Sequence, residues 1–336
     1  MATITDVAKL SGISVATVSR VINNKPHVSE AKRERVLAAM EELGYAPLQA
    51  ARQMRGSGSG NIAVAVPTLT NNFFAQLVDA IEKTCRKHGY RTLITQTQGT
   101  AEAEAEALDL LKMQHADGII LCSIENDWGF ITDYAKFGAI AVCDEYNADD
   151  AVSQVFGRQY DGFFGATQFL LGSGYKKIAY CTGYKGLELR PKDSDLDSDR
   201  YRGYLDALAS RGVEPNREWY FEGVNTLEDG RNVMRRLLMM PERPSAVLAG
   251  SDEVAAGIEL EALHCRLNVP SDLAIIGVDD QPMAQVLPVP LTTIRQPIEE
   301  EGTLVAQDLL RQLSEDEPSD PVRHALNLEL IVRSST

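Results

Sequence analysis

No run of about 18 consecutive apolar residues occurs in this 336-residue chain, so no segment is expected to cross a bilayer. The N-terminus lacks a basic segment followed by an apolar one, so no secretory leader is expected. Cysteine is sparse: Cys85, Cys122, Cys143, Cys181 and Cys265 are odd in number, widely spaced and free of any CxxC pair. That excludes a disulfide framework and suits reduced thiols in the cytoplasm, with Cys122, Cys143 and Cys181 in buried strands. The five histidines are scattered, so no metal site is expected. No GxxxxGK(S/T), GxSxG or HExxH occurs, and "GSGSGN" precedes a strand rather than following one. No nucleophile–base pair stands out either. Neither an enzyme nor a cofactor is expected.

Positive charge is also short. Lys and Arg total 33 against 48 Asp and Glu, a net charge of −15. Such a chain should be repelled by a polyanion. The deficit is uneven, however. Residues 1–60 carry a local charge of +3 and residues 61–336 carry −18. Attraction to phosphate is local and screened within about 10 Å, so a basic head can bind while an acidic body keeps the protein soluble.

The head has helical patterning. Thr3 reads as an N-cap with Asp6 three positions on, and Val7, Ala8 and Leu10 form an apolar face. Gly12 ends this helix, and Ser14 caps a second with Val18 and Val21 inward. Ser29 caps a third, whose buried stripe is Val36, Leu37, Met40 and Leu43, closed by Gly44 and Pro47. Two short helices joined by a Gly-containing turn make a helix-turn-helix. Its second helix would present Val15 and Ala16 to thymine methyls and Arg20 to guanine. Thr17, Ser19 and Asn23 suit phosphates. From this segment alone a small helical bundle for protein contacts remains an alternative.

"DVAKLSGISVATVSRVIN", "ELGYAP", "VLAGSDEVAAGI" and "AIIGVDDQPMAQVLPVPLTTIRQP", in that order, closely resemble the lactose/galactose-repressor type regulators. The resemblance runs almost end to end. It implies base reading by Val15, Ala16 and Arg20, with Thr5, Ser14 and Tyr45 in the DNA-contacting set. "LQAARQMRGSGSG" reads from its residues as a short helix former and a flexible Gly/Ser tether. The resemblance implies that it folds on DNA, where Met54 stands in for the usual Leu wedge, Ala51 allows close helix approach and Arg52 meets phosphate.

From Asn61 onward short apolar runs alternate with amphipathic stretches. "NIAVAVP", "RTLITQT", "DGIILCS", "AIAVCD", "KIAYCTG", "SAVLAG" and "LAIIGV" read as buried parallel strands between helices. Two such series point to an α/β body of two Rossmann-like subdomains, with ligands beyond the carboxyl ends of the strands. Together with the resemblance this gives a periplasmic-binding-protein-like body. The expected division is a head at 1–46, a hinge helix and linker at 47–60, one lobe from 61–159 with 292–320, and another from 160–291 with 321–336.

Effector contacts implied by the resemblance fall on Phe73, Phe74, Asp144, Asp161, Arg200, Asn225, Asp252 and Gln296, with Asp252 and Arg200 the firmest. Asn225 replaces an aromatic residue, which favours a polyhydroxylated ligand over a flat one. Other readings stand beside these: Phe73 or Phe74 as core, Asp252 as a helix cap, Asp279 as a turn residue, and Asp161 as either. Asp193, Asp195, Asp197 and Asp199 read as a solvated acidic loop near the cleft mouth, since EF-hand spacing is absent. The expected protein is a cytoplasmic homodimeric repressor on a near-palindromic operator, controlled by a sugar or sugar derivative. The alternative is a carbon-catabolite-type regulator with a phosphocarrier protein as co-repressor. With no heptad tail after "LNLELIVRSST", a dimer is expected rather than a tail-linked tetramer.

Overall fold

Thr3 starts the first helix, α1 (Ile4–Ser11), through a capping box: its hydroxyl accepts the Asp6 N–H at 3.3 Å, and the Asp6 carboxylate accepts the Thr3 N–H at 2.9 Å. The Thr3 hydroxyl also donates to the Asp6 carboxylate at 2.7 Å, and this bond, with that from the Thr3 N–H, holds the Asp6 carboxyl below its ordinary value. Gly12, at φ 63°, stops the helix in a conformation that disfavours L side chains. A Cβ there would also lie 2.9 Å from the Arg35 guanidinium, which donates to the Ser11 carbonyl. α2 (Val15–Ile22) and α3 (Glu30–Glu42) follow. Val7, Ala8, Val18, Val21, Val36 and Ala39 form the head's core.

Two expected core residues are outside it: Leu10 is 45% and Leu37 51% exposed. The inward face of α1 runs through Ile4, Val7, Ala8 and Ser11. In α3 it runs through Val36, Ala39, Met40 and Leu43, which leaves Leu37 a 100° step away. Ser29 occupies the N-cap of α3 but makes no capping hydrogen bond. In this computed structural model the described residues are 2–22, 27–45, 58–148, 150–184, 186, 189–192, 194–314 and 320–336. They fall into two units, Met1–Gly60 and Asn61–Thr336, each with its own core.

The larger unit holds two six-stranded sheets. In chain order its elements begin β1 (Asn61–Val66), α4 (Asn72–Lys87), β2 (Arg91–Gln96), α5 (Ala101–Lys112), β3 (Gly118–Leu121), α6 (Trp128–Asp133), β4 (Ala139–Cys143) and β5 (Ser153–Gly157). Then come α7 (Gln159–Gly172), β6 (Ile178–Cys181), α8 (Leu196–Ser210), β7 (Tyr220–Phe221), α9 (Leu227–Met239), β8 (Ala246–Leu248), α10 (Asp252–His264) and β9 (Ala274–Val278). The chain closes with β10 (Thr292–Arg295), α11 (Ile298–Gln312), β11 (Arg323–Leu326) and β12 (Glu329–Ile331).

The first sheet has the order β11-β5-β4-β3-β1-β2, all parallel. The second has the order β12-β10-β9-β8-β6-β7, parallel except where β12 runs against β10. Strand alternation explains the helix layers. Ile62, Val64 and Val66 pack on α4 and α11, whereas Ala63 and Ala65 face α5. In the second sheet Val247 and Ile275 meet α9 and α10, and Leu248 and Ile276 meet α7 and α8.

The expected lobe boundaries shift. β10 pairs with β9 in the second sheet, and β11 pairs with β5 in the first. The chain therefore changes sheet at Arg158, at Gln296–Pro297 and at 327–328. Residues 292–295 belong with the second lobe and 323–326 with the first. β5 and β10–β12 carry weak apolar patterning ("SQVFG", "TTIR", "RHAL"), which hid these crossings. The free thiols of Cys122, Cys143 and Cys181 are buried as expected, with Cys143 and Cys181 in strands and Cys122 directly after β3.

Candidate functional site

In the head, Val18 and Val21 tie α2 to the core, so its opposite face is free. Val15, Ala16 and Arg20 are exposed on that face, and Thr17 and Ser19 lie half-buried at its margins. Among the described residues Arg20 has no ion-pair partner. Ser14 accepts the Thr17 N–H at 3.4 Å and shares a 3.0 Å hydroxyl contact with it, which fixes the first turn. Thr5 is exposed on α1, and Tyr45 is half-buried against the core. Asn23, Ala51, Arg52 and Met54 lie outside the described residues.

In the larger unit the sheet crossings gather polar side chains from both lobes. Gln159, just past the first crossing, donates to Gln296 at the second (3.0 Å), and Gln296 donates to Asp279 (2.8 Å). Arg200 in α8 donates through Nε to Gln159 at 2.8 Å. Gln281 donates to Asp279 at 3.3 Å and reaches Asn71 of the first lobe at 3.5 Å. Asn71 in turn caps α4 by accepting the Phe73 N–H.

Asp144 directly follows β4 and Asp279 directly follows β9, at φ 64° and 103°. Side chains other than glycine rarely hold such backbone, and strain of this kind gathers at working sites. Burial pushes the Asp144 carboxyl up to about 7; Arg200 opposes the shift, and Asp279 and Asp197 add to it. Among the described residues its Oδ1 has no hydrogen-bond partner. Burial acts to lower Arg200, but the carboxylates of Asp144, Asp197 and Asp279 outweigh it and hold the guanidinium above its ordinary value. Glu301 in α11 is fully buried, with neither oxygen partnered among the described residues, and burial holds it well above the usual carboxylate range. The result is one fixed cation among carboxyls with open acceptor positions. Such a constellation can take hydroxyl donors and offer donors in return.

Of the expected effector residues, Asp144, Arg200 and Gln296 come together here. The others do not. Phe73 is core, packed with Leu77 and Ile81, and Phe74 stacks edge-on against it at 5.1 Å, half-buried. Asp161 is exposed and lines a separate cavity. Asn225 is exposed and donates to the Gly183 carbonyl at 3.3 Å.

Asp252 differs most from expectation. Its carboxyl is 0% exposed and both oxygens are taken, by the Thr293 hydroxyl (2.6 Å) and the Gln281 N–H (2.7 Å). It latches the loop after β9 and presents nothing to a ligand. The acidic loop also needs correction. Asp195 caps α8 by accepting the Ser198 N–H, Asp197 accepts from Thr182, and Asp199 is buried against the Tyr146 hydroxyl. Alternate aspartates there are the first turn of a helix, where the positive end of the dipole favours them. Asp193 lies outside the described residues. Gln159, Gln281, Asp197 and Glu301 were not anticipated. Gln159 was hidden because its place depends on where the chain changes sheet, and Gln281 because its contacts with Asp279 and Asn71 arise only from packing.

Residues 3–47 match the family model described as bacterial regulatory proteins, lacI family, and residues 167–336 match that of the periplasmic binding protein-like domain. The chain is 35% identical over 338 residues to the NTD biosynthesis operon regulator NtdR of Bacillus subtilis (strain 168), covering 100% of both. The lac repressor dimer bound to operator and the anti-inducer ONPF is similar in structure: TM-score 0.83, 28% identity, 100% of this chain and 99% of that one. A LacI family transcriptional regulator from Lactobacillus casei with bound glucose matches at TM-score 0.74 and 31% identity, over 82% of this chain and 99% of that one.

Proposed function

The chain belongs to the lacI family of bacterial regulatory proteins, and from that premise we infer that it is a DNA-binding transcription repressor governed by a small effector held between its lobes. The observation that carries the effector half is the Gln159–Gln296–Asp279–Arg200 network at the sheet crossings. A ligand there touches both lobes at the points about which they can rotate. Arg200 donates to ligand oxygens, and Asp144, whose Oδ1 is unpartnered among the described residues, accepts from hydroxyls. A polyhydroxylated ligand, a sugar or sugar derivative, satisfies both demands. The bound glucose of the Lactobacillus casei regulator supports that class.

The head carries the other half. Two copies of the chain place two α2 helices in successive major grooves, so the operator is near-palindromic. Val15 and Ala16 meet thymine methyls, and Arg20 forks onto guanine. Thr5, Ser14, Thr17, Ser19, Asn23 and Tyr45 set the register on phosphates. Residues 47–60 link head to body, with Ala51, Arg52 and Met54 at the centre of the operator. The lobes are 61–157 with 298–326, and 159–295 with 329–336. Ligand-driven rotation changes operator affinity by about 1–3 kcal/mol, the usual scale of allosteric coupling. The protein works in the cytoplasm, where its DNA is.

Selection from random duplexes by the full-length chain tests the DNA half. A symmetric consensus should emerge, and Arg20→Ala should flatten one position in each half-site. Recovery of duplexes without shared sequence would overturn the reading.

A further inference from the structure

Glu301 sits in the first turn of α11, directly after the second sheet crossing, where its N–H donates to the Pro297 carbonyl at 2.9 Å. An acid in that turn suits the positive end of the helix, and Glu299 and Glu300 serve that end while exposed. Glu301 is instead 0% exposed, and neither of its carboxylate oxygens has a hydrogen-bond partner among the described residues. The helix end gains nothing from such burial. A buried carboxyl without partners costs stability unless another group meets it.

Its surroundings decide what that group is. Its charge acts on the Cys122 and Cys143 thiols, so it lies over the carboxyl ends of β3 and β4, beside Asp144. Burial, then Asp144 and Asp279, push its carboxyl well above the usual carboxylate range, and Arg200 opposes them. Asp144 has its own buried oxygen, Oδ1, unpartnered among the described residues. Asp197 adds a further acid around Arg200. Among the described residues no Lys, Arg or His forms an ion pair with Asp144, Asp197, Asp279 or Glu301, and Arg200 gives its Nε to Gln159. The site therefore holds more acid than base and more acceptors than donors. A ligand hydroxyl brings one donor and an oxygen that needs a donor in return. An ammonium brings three donors, no acceptor and a positive charge against the crowded acids.

We propose that the effector is an amino sugar, a polyhydroxylated ring whose primary ammonium rests between Glu301 and the Oδ1 of Asp144 while its hydroxyls meet Arg200. The proposal rests on the effector reading above and narrows its ligand class. Glu301 and Asp144 belong to the first lobe and Arg200 to the second, so the ligand is gripped from both sides as the lobes close.

Calorimetric titration of the full-length chain at pH 7 tests it, with glucose, N-acetylglucosamine and the 2-, 3-, 4- and 6-amino-deoxyglucoses as probes. At least one amine should bind about tenfold or more tighter than both neutral sugars. Glu301→Gln keeps the size and removes the charge. It should cut that preference by about tenfold, leave the affinity for glucose nearly unchanged and not lower the melting temperature, since no hydrogen bond of the folded protein is lost. Asp144→Asn should cut the preference in the same direction. Neutral sugars binding as tightly as every amine, or a preference undiminished in Glu301→Gln, would overturn the proposal and leave the sugar-effector reading standing. Absence of saturable heat from all four amines would also overturn it, and the two neutral sugars would then decide the sugar-effector reading separately.

Discussion

Replacing Asp252 separates a latch from a ligand contact. Its two acceptors hold the Thr293 hydroxyl and the Gln281 N–H in a site with no solvent access. Asp252→Ala leaves both donors buried and unmet, at about 1–3 kcal/mol each, so the loss of stability is about 2–6 kcal/mol. Asp252→Asn keeps the shape. Its carbonyl oxygen accepts from Gln281, and its amide donates to the Thr293 hydroxyl, so near pH 4, where the carboxyl is neutral in the folded protein, the change stays within about 1 kcal/mol.

The sign of the pH effect follows from burial, which raises the Asp252 carboxyl to about 8, with Asp279 adding and the two hydrogen bonds opposing. Between its ordinary value, near 4, and about 8, the folded protein keeps a proton that the unfolded chain releases. The native protein therefore loses stability through this group as pH rises across that window, and the Asn variant does not. The advantage of Asn over Asp should grow from pH 4 to 8 by less than about 1.4 kcal/mol per unit, then level off. Urea unfolding followed by Trp219, which packs in the second lobe's core, reads this in a Trp128→Phe background. A cost of under about 1 kcal/mol for Ala, or an Asn advantage that shrinks with rising pH, would refute the latch.

Gly257→Ala should lower the melting temperature and cost more than about 2 kcal/mol, since a Cβ there would lie 2.0 Å from the Leu227 carbonyl and force α9 from α10. Arg20→Ala should cost about 1–3 kcal/mol in operator affinity by gel shift and leave non-specific binding nearly unchanged. Effector affinity should rise as pH passes through about 7, where Asp144 ionises and accepts hydroxyls better, and Asp144→Asn should abolish that rise in a binding titration.

Much of this was legible in the sequence because the signals were local. The capping box at Thr3, the Gly12 stop and the continuous apolar runs of β1, β3, β4, β6 and β9 each need only near neighbours to act. Asp144, Arg200 and Gln296 could be picked from their places beside strands and from family likeness. What escaped was set by tertiary packing. β5, β10 and β11 are thinly apolar, so the sheet changes were misplaced, and with them Gln159; Gln281 meets Asp279 and Asn71 only once the lobes are packed. Asp252 and the Asp195–Asp199 run have the residue types of a ligand set. Only the fold reveals that Asp252 is sealed by Thr293 and Gln281, and that Asp195 and Asp199 serve α8 and Tyr146.

Operator affinity measured by fluorescence anisotropy, during titration with a panel of sugars and sugar derivatives, tests the central claim most directly. At least one member should shift the affinity of the native protein by about 5- to 150-fold, and Arg200→Ala should bind the operator normally without that response. An unaltered response in Arg200→Ala would contradict the account.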